Sequence, residues 1–344
     1  MKAVFDLGHP GDVHFFKHVM WSLEERGWET LAAVRQRDVV IDLLESNDID
    51  YAIIGGRAEG IVGKAKEMVN IEKNLYRLAK KNDVDALVGE TPYAAHVGWL
   101  LRKPSFILVS NDHAVFENLI FAPFATRVFS SETLRWNFGR RHVRFKGLSL
   151  GAFLLPKYFS PDSGVLKSLK QPYSIIRIVE WGALHDSTGR VMHNPEKLVK
   201  KMREYGKVYY TIEKSHHSDA ERKKMEDWGA EPFLLHPSKL VDAIAFSEMY
   251  VGDGGSMAVE AAYLGTPSIF VSSIPVTYIQ WLQDEFDIVR HARNEDEALK
   301  EISALSGKKK VWQDKREDLL SSLEDFVGRT VELVDSVSRK RGAQ

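Results

Sequence analysis

The sequence predicts an α/β fold of two successive doubly wound, Rossmann-like units, each a parallel sheet with helices on both faces. Short apolar runs alternate with amphipathic stretches at helical spacing through most of the chain, the pattern of βα repeats. The alternation breaks over residues 150–172, where Pro156, Pro161, Gly164 and Pro172 interrupt any sustained period, and then restarts. At 344 residues the chain is about two domains long.

In the first half, residues 2–7 read as a strand, closed by Gly8-His9-Pro10-Gly11. Val13, Phe16, Val19, Met20 and Leu23 then recur at helical spacing up to Gly27. Strands follow at 29–34, 51–54, 86–88, 105–109 and 125–130, separated by helices at 38–46, 64–81 and 92–101. The segment Phe116 to Phe124 is aromatic-rich for a connection; it reads as core packing, with a lipid-facing surface as the alternative. In the second half the order is strand 174–179, helix 195–204, strand 207–212, helix 219–228, strand 232–235, helix 238–246, strand 249–251, helix 256–264 and strand 267–271. Residues 313–337 read as one final amphipathic helix.

Composition narrows the function classes. Hydrophobic residues make up 44%, enough for a core in each half, and 47 basic against 48 acidic residues give a net charge of −1. A dedicated nucleic-acid binder carries a basic surplus, so none is expected. The absence of cysteine excludes disulfides, cysteine zinc sites and a thiol nucleophile. No run approaches the ~18 apolar residues of a spanning helix, and the first residues do not form a signal peptide, so a cytoplasmic protein without an integral membrane segment is expected. Lys308-Lys309-Lys310 and Arg339-Lys340-Arg341 read as solvated basic ends.

The most informative stretch is Gly252-Asp253-Gly254-Gly255-Ser256 after strand 249–251. A strand, a tight glycine turn and a helix start bring backbone N–H groups and a positive dipole end to one place, which suits a phosphate. Ser256 is positioned to cap the helix or to meet a phosphate oxygen, and Glu260, one turn later, to accept from ribose hydroxyls. A plain α/β turn with a capping serine accounts for the same spacing.

Ligands of open parallel sheets bind at the carboxyl ends of strands. That rule selects His9, Asp12 and His14 after the first strand, Glu90 after the strand at 86–88, Asp112 with Asn111 and His113 after 105–109, and His185 with Glu180, Trp181 and Asp186 after 174–179. His14 and His18 share a helix face, but Phe15 stands where a zincin motif needs glutamate, so no metal is expected. A helix cap at Asp12 and partly exposed histidines are the structural alternative to a general base in this loop.

The run GDGGSMAVEAAYLGTPSIFV resembles the second-domain motif of GT-B-fold proteins. It is similar to that of the non-hydrolysing UDP-N-acetylglucosamine 2-epimerases and, more loosely, of the transferase that adds N-acetylglucosamine to the lipid-linked peptidoglycan precursor. With DLGHPGDVHFFKH, VGETPYAAHVGWLLRKPSFILVSND and RIVEWGALHDSTG, it also makes nearly the whole chain resemble a largely archaeal family known as DUF354. The resemblance implies a first domain over 1–155 for the acceptor or reacting sugar, a nucleotide-binding domain over 170–312, and helix 313–337 crossing back to the first domain. It implies a diphosphate near Gly254, Gly255, Ser256 and Met257, a ribose on Glu260, a base near Leu235, and a phosphate contact from His185. VGET matches the epimerase HGDT, with Glu90 in place of its aspartate. The epimerase signatures HVEAGLR and HRREN are replaced here by LVSNDHA and EWGALHD.

The expectation is a metal-independent, cofactor-free glycosyltransferase-like protein using a nucleotide-sugar donor, in the first instance UDP-linked. Asp12, His14 and His9 stay open as its base, beside Glu90 and Asp112. A nucleotide-sugar epimerase or hydrolase and a non-catalytic two-lobed binder are the alternatives. A lipid-linked acceptor, a membrane-peripheral location and a homodimer stay open as well.

Overall fold

The structure is a computed structural model. It describes residues 1–344 except 57–59, 111, 113–114, 179–191, 193–194, 213–218 and 343–344, and leaves aside the side chains of 38, 61–62, 64–65, 115–117, 212, 219–221 and 341–342. The chain forms two units, Met1–Phe153 with Glu324–Gln344, and Leu154–Leu323.

The first unit runs β1 (Lys2–Leu7), α1 (Pro10–Glu24), β2 (Glu29–Arg35), α2 (Asp38–Glu45), β3 (Tyr51–Gly55), α3 (Gly60–Lys81), β4 (Ala86–Gly89), α4 (Pro92–Leu101), β5 (Ser105–Val109), α5 (Val115–Phe121), β6 (Arg127–Ser131) and β7 (His142–Phe145). All seven strands are parallel, in the order β3-β2-β1-β4-β5-β6-β7. Residues of β4 and β5 are buried throughout, which is why both read as continuous apolar runs rather than alternating ones. The segment around Phe121 is a helix; Phe121 and Asn118 are buried, while Leu119 faces solvent.

After a short helix α6 (Gly151–Leu154), the second unit runs β8 (Tyr173–Ile178), α7 (Glu196–Arg203), β9 (Lys207–Ile212), α8 (Asp219–Asp227), β10 (Glu231–Pro232), α9 (Leu240–Phe246), β11 (Tyr250–Gly252), α10 (Gly255–Tyr263), β12 (Ser268–Val271), α11 (Thr277–Phe286), β13 (Val289–Ala292), α12 (Glu295–Leu305) and α13 (Lys309–Ser322). Its six parallel strands are ordered β10-β9-β8-β11-β12-β13. The fold class is therefore the one the sequence predicts: two doubly wound α/β units.

Residues 313–337 are not one helix. α13 stops at Ser322, and α14 (Phe326–Gly342) begins after a break. Leu323 is extended, Glu324 exchanges hydrogen bonds with the Lys146 backbone (N–H to O 2.9 Å, and N–H to carboxylate 2.7 Å), and Asp325 Oδ1 accepts from the Val327 N–H at 3.1 Å. Those bonds end one helix and cap the next, although the apolar spacing runs through both. α14 packs Phe326, Val327, Val331 and Val334 into the first unit against α1, and Trp28 Nε1 donates to Asp335 Oδ1 at 2.8 Å.

Each sheet reverses strand order once: between β1 and β4 in the first unit, and between β8 and β11 in the second. The connections leaving these strands run to opposite sides, which opens a crevice at their carboxyl ends. Both candidate sites lie there.

Candidate functional site

At the second-unit crevice, Gly252 is the register partner of Arg177, and the chain turns through Asp253 and Gly254 into α10. Packing explains two of the three glycines. A Cβ on Gly252 would approach the Tyr250 hydroxyl and the Arg177 carbonyl, and a Cβ on Gly255 would lie 2.7 Å from the Tyr278 hydroxyl. Tyr250 is fully buried and donates to the Gly254 carbonyl at 3.2 Å, bracing the turn from beneath.

Ser256 is not the helix N-cap. That position is Gly254, which has no side chain to offer, and Ser256 sits exposed in the first turn. Gly254 therefore gives the first N–H groups of α10 no side-chain cap, and the helix's first turn holds no acid. Such an end presents partial positive charge outward. Met257 follows in the same turn, and Glu260 one turn on. Burial pushes the Glu260 carboxyl up to about 7, against the pull of the Arg177 guanidinium.

The first-unit crevice is built differently. His9 is the N-cap of α1, its Nδ1 accepting from the Gly11 N–H at 3.1 Å, and Asp12 reaches back so that one oxygen accepts from the Gly8 and His9 N–H groups at 2.6 and 3.0 Å. This capping box satisfies the helix end with the chain's own groups. A cavity of about 250 Å³ opens beside it, with Gly8, His9, Asp12, Arg35, Arg37, Glu90, Thr91, Ser110, Asn118 and Phe121 on its walls. Beneath it Asp6, fully buried, is held by Arg35 Nη1 at 2.7 Å and by the Thr91 hydroxyl. Burial raises the Asp6 pKa, and the guanidinium and the hydroxyl oppose the shift.

Of the residues singled out above, His9, Asp12 and Glu90 share this cavity. His14 is not on its walls: its ring packs on Phe153 at 5.0 Å, and burial, with Lys17 and His18 nearby, pushes its pKa down to about 4. His18 sits edge-on to Trp21 and is likewise pushed to about 4. Asp112 is also outside the lining; it accepts from the Arg135 N–H at 2.8 Å, and its carbonyl from Trp136 Nε1 at 3.1 Å. Leu235 is half-buried in the loop between β10 and α9, beside Leu234, which is 85% exposed. His185, with Glu180, Trp181 and Asp186, lies outside the described residues. Among the described residues no group of three or more His, Asp or Glu side chains is gathered as a metal site requires.

Asp6, Arg35, Thr91, Asn118, Arg177 and Tyr278 were not singled out in the sequence. A charge at Asp6 inside an otherwise apolar strand is the one signal that pointed toward them.

This arrangement, with parallel sheets in two units, is the GT-B-like class. A UDP-GlcNAc 2-epimerase from Neisseria meningitidis, bound to UDP-GlcNAc, shares the fold at a TM-score of 0.71 and 12% identity, covering 99% of this chain and 100% of that one. MurG from Acinetobacter baumannii does so at 0.63 and 15%, covering 98% and 100%. The chain belongs to the family described as protein of unknown function (DUF354), whose model matches residues 1–338. Uncharacterized protein MJ0665 of Methanocaldococcus jannaschii is 21% identical over 283 residues, 77% of this chain and 80% of that protein.

Proposed function

We propose that the protein binds a nucleotide-sugar, UDP-linked in the first instance, and transfers its sugar without a metal. The observation that carries this reading is the uncapped N-terminus of α10 at the crevice between β8 and β11, with Glu260 one turn away. The diphosphate takes the N–H groups of Gly255, Ser256 and Met257, next to Gly254, and Glu260 takes the ribose hydroxyls. Leu235 belongs to the base pocket, and His185 to the phosphates. At the other crevice the N-terminal N–H groups of α1 are taken up by its own capping box, so that helix end does not offer them to a diphosphate.

In the first unit Glu90 is the proposed base of the transfer. Because His9 Nδ1 accepts a hydrogen bond, the neutral ring carries its proton on Nε2, so His9 serves as a donor to the reacting sugar. Asp12 holds that loop in place. His14 and Asp112 take no chemical role. A lipid-linked acceptor remains part of this proposal, and no helix of the described residues is long and apolar enough to cross a membrane.

Epimerisation is the second reading. Its support is the higher TM-score of the Neisseria epimerase, 0.71 against 0.63 for MurG, together with a carboxylate, Glu90, in a cavity of sugar size. A thermal-shift series with UDP, UDP-GlcNAc and the other nucleoside diphosphates comes first. A rise of several degrees with UDP is expected, as mass action dictates for a ligand well above its Kd, and no rise with any nucleotide rejects the proposal. Incubation with UDP-GlcNAc alone then separates the chemistries. Conversion of the sugar without acceptor favours epimerisation; saturable binding with no turnover under any acceptor favours a non-catalytic binder.

A further inference from the structure

The cavity beside α1 carries donors that the fold leaves without acceptors among the described residues. Its carboxylate Asp12 is engaged with backbone N–H groups, and Asp6 beneath it with Arg35 and Thr91. Arg35 gives only Nη1 to Asp6; its Nη2 and Nε make no hydrogen bond among the described residues. The guanidinium packs against Tyr93 at 5.5 Å, lies across Gly8 where any Cβ would overlap it, and remains 13% exposed. Asn118 is 1% exposed at the cavity wall, and its Nδ2 has no partner among the described residues. An amide N–H buried without an acceptor is costly, so a site that keeps one is built for an acceptor that arrives with a ligand.

We infer that this cavity recognises the carboxylate of an acidic sugar unit, a hexuronate, through Arg35 and Asn118. The flat guanidinium edge left over by Asp6 matches the two oxygens of a carboxylate. Glu90 on the same wall and Asp6 beneath it disfavour a phosphate dianion more than a carboxylate monoanion. At about 250 Å³ the space falls below the ~300–1,000 Å³ of drug-sized pockets and suits one monosaccharide ring, not a nucleotide. The inference rests on the nucleotide-sugar reading for why a sugar enters at all.

Ligand-observed NMR titration of the full chain with D-glucuronate, D-glucose and glucose 6-phosphate tests it. Glucuronate is expected to bind roughly tenfold tighter than glucose and tighter than the phosphate. Asn118→Leu, which removes the unpartnered amide, should weaken glucuronate about threefold to tenfold while the melting temperature holds. Arg35→Lys, which keeps a charge for Asp6, should abolish the preference over glucose. Equal binding of glucuronate and glucose overturns the inference, as does tighter binding of glucose 6-phosphate or an unaltered preference in both variants. A parallel titration with UDP separates the two proposals. A UDP response without a glucuronate preference rejects the carboxylate alone; a glucuronate preference without any UDP response rejects the nucleotide and leaves the carboxylate standing.

Discussion

Two carboxyl groups, Asp6 and Glu260, are disfavoured as anions by burial, and their surroundings resolve this differently. Asp6 has Arg35 and the Thr91 hydroxyl in contact, and they offset part of the upward shift that burial imposes. Glu260 has the field of Arg177, and its pKa stands near 7. A raised carboxyl pKa favours the folded state at low pH: the contribution is complete below about 4.5 and is lost as pH rises through about 7. Glu260→Gln should therefore flatten the decline of melting temperature between about pH 5 and 8. Ribose hydroxyls donating to the carboxylate would stabilise its charged form, so UDP binding near pH 6.5 should release more proton with the native protein than with the glutamine variant, the ligand's own phosphate contributing equally to both. Calorimetry in buffers of different ionisation enthalpy measures this, and equal proton release in both proteins would reject the ribose role. At this scale the sequence revealed residues in loops better than residues in strands. His9, Asp12 and Glu90 stand out because they follow apolar runs. Asp6 and Arg35 lie at strand positions, and whether a strand charge faces a partner, a ligand or water is decided by neighbouring strands about thirty residues away.

The start of α10 shows how an element can be legible while its reason is not. The strand, glycine turn and helix were readable from spacing, but the cap belongs to Gly254 instead of Ser256, and Gly255 is constrained by a side chain from α11. Gly255→Ala should cost about 1–2 kcal/mol by crowding the Tyr278 hydroxyl, and Tyr278→Phe should recover most of that loss in the double variant. Urea unfolding of the two single variants and the double one measures the coupling; strictly additive effects would show that the contact is unimportant. Two strands, His142–Phe145 and Val289–Ala292, were missing from the sequence reading. Both are sheet edges of four residues in which polar side chains interrupt the apolar run, so periodicity had little to register.

For the whole molecule, the break at 323–325 matters more than any one strand. Periodicity joined α13 and α14 because both bury apolar faces at helical spacing; the tertiary bonds from Glu324 to Lys146 and the Asp325 cap divide them. A chain ending at Leu323 would lose α14 and leave α1 without that neighbour. It should show reduced stability of the first unit, seen as loss of hydrogen-exchange protection in β1 and β2, while β11 and β12 in the second unit keep theirs. Equal loss in both units would contradict the division of the chain at that point. The same arrangement sets an order of events during synthesis. A ribosome completes every strand of the second sheet before it has made the residues that close the first unit, so the portion begun first is finished last. Until then the part of α1 that α14 covers waits exposed, and any chaperone that attends this chain has its longest task at the beginning of the sequence.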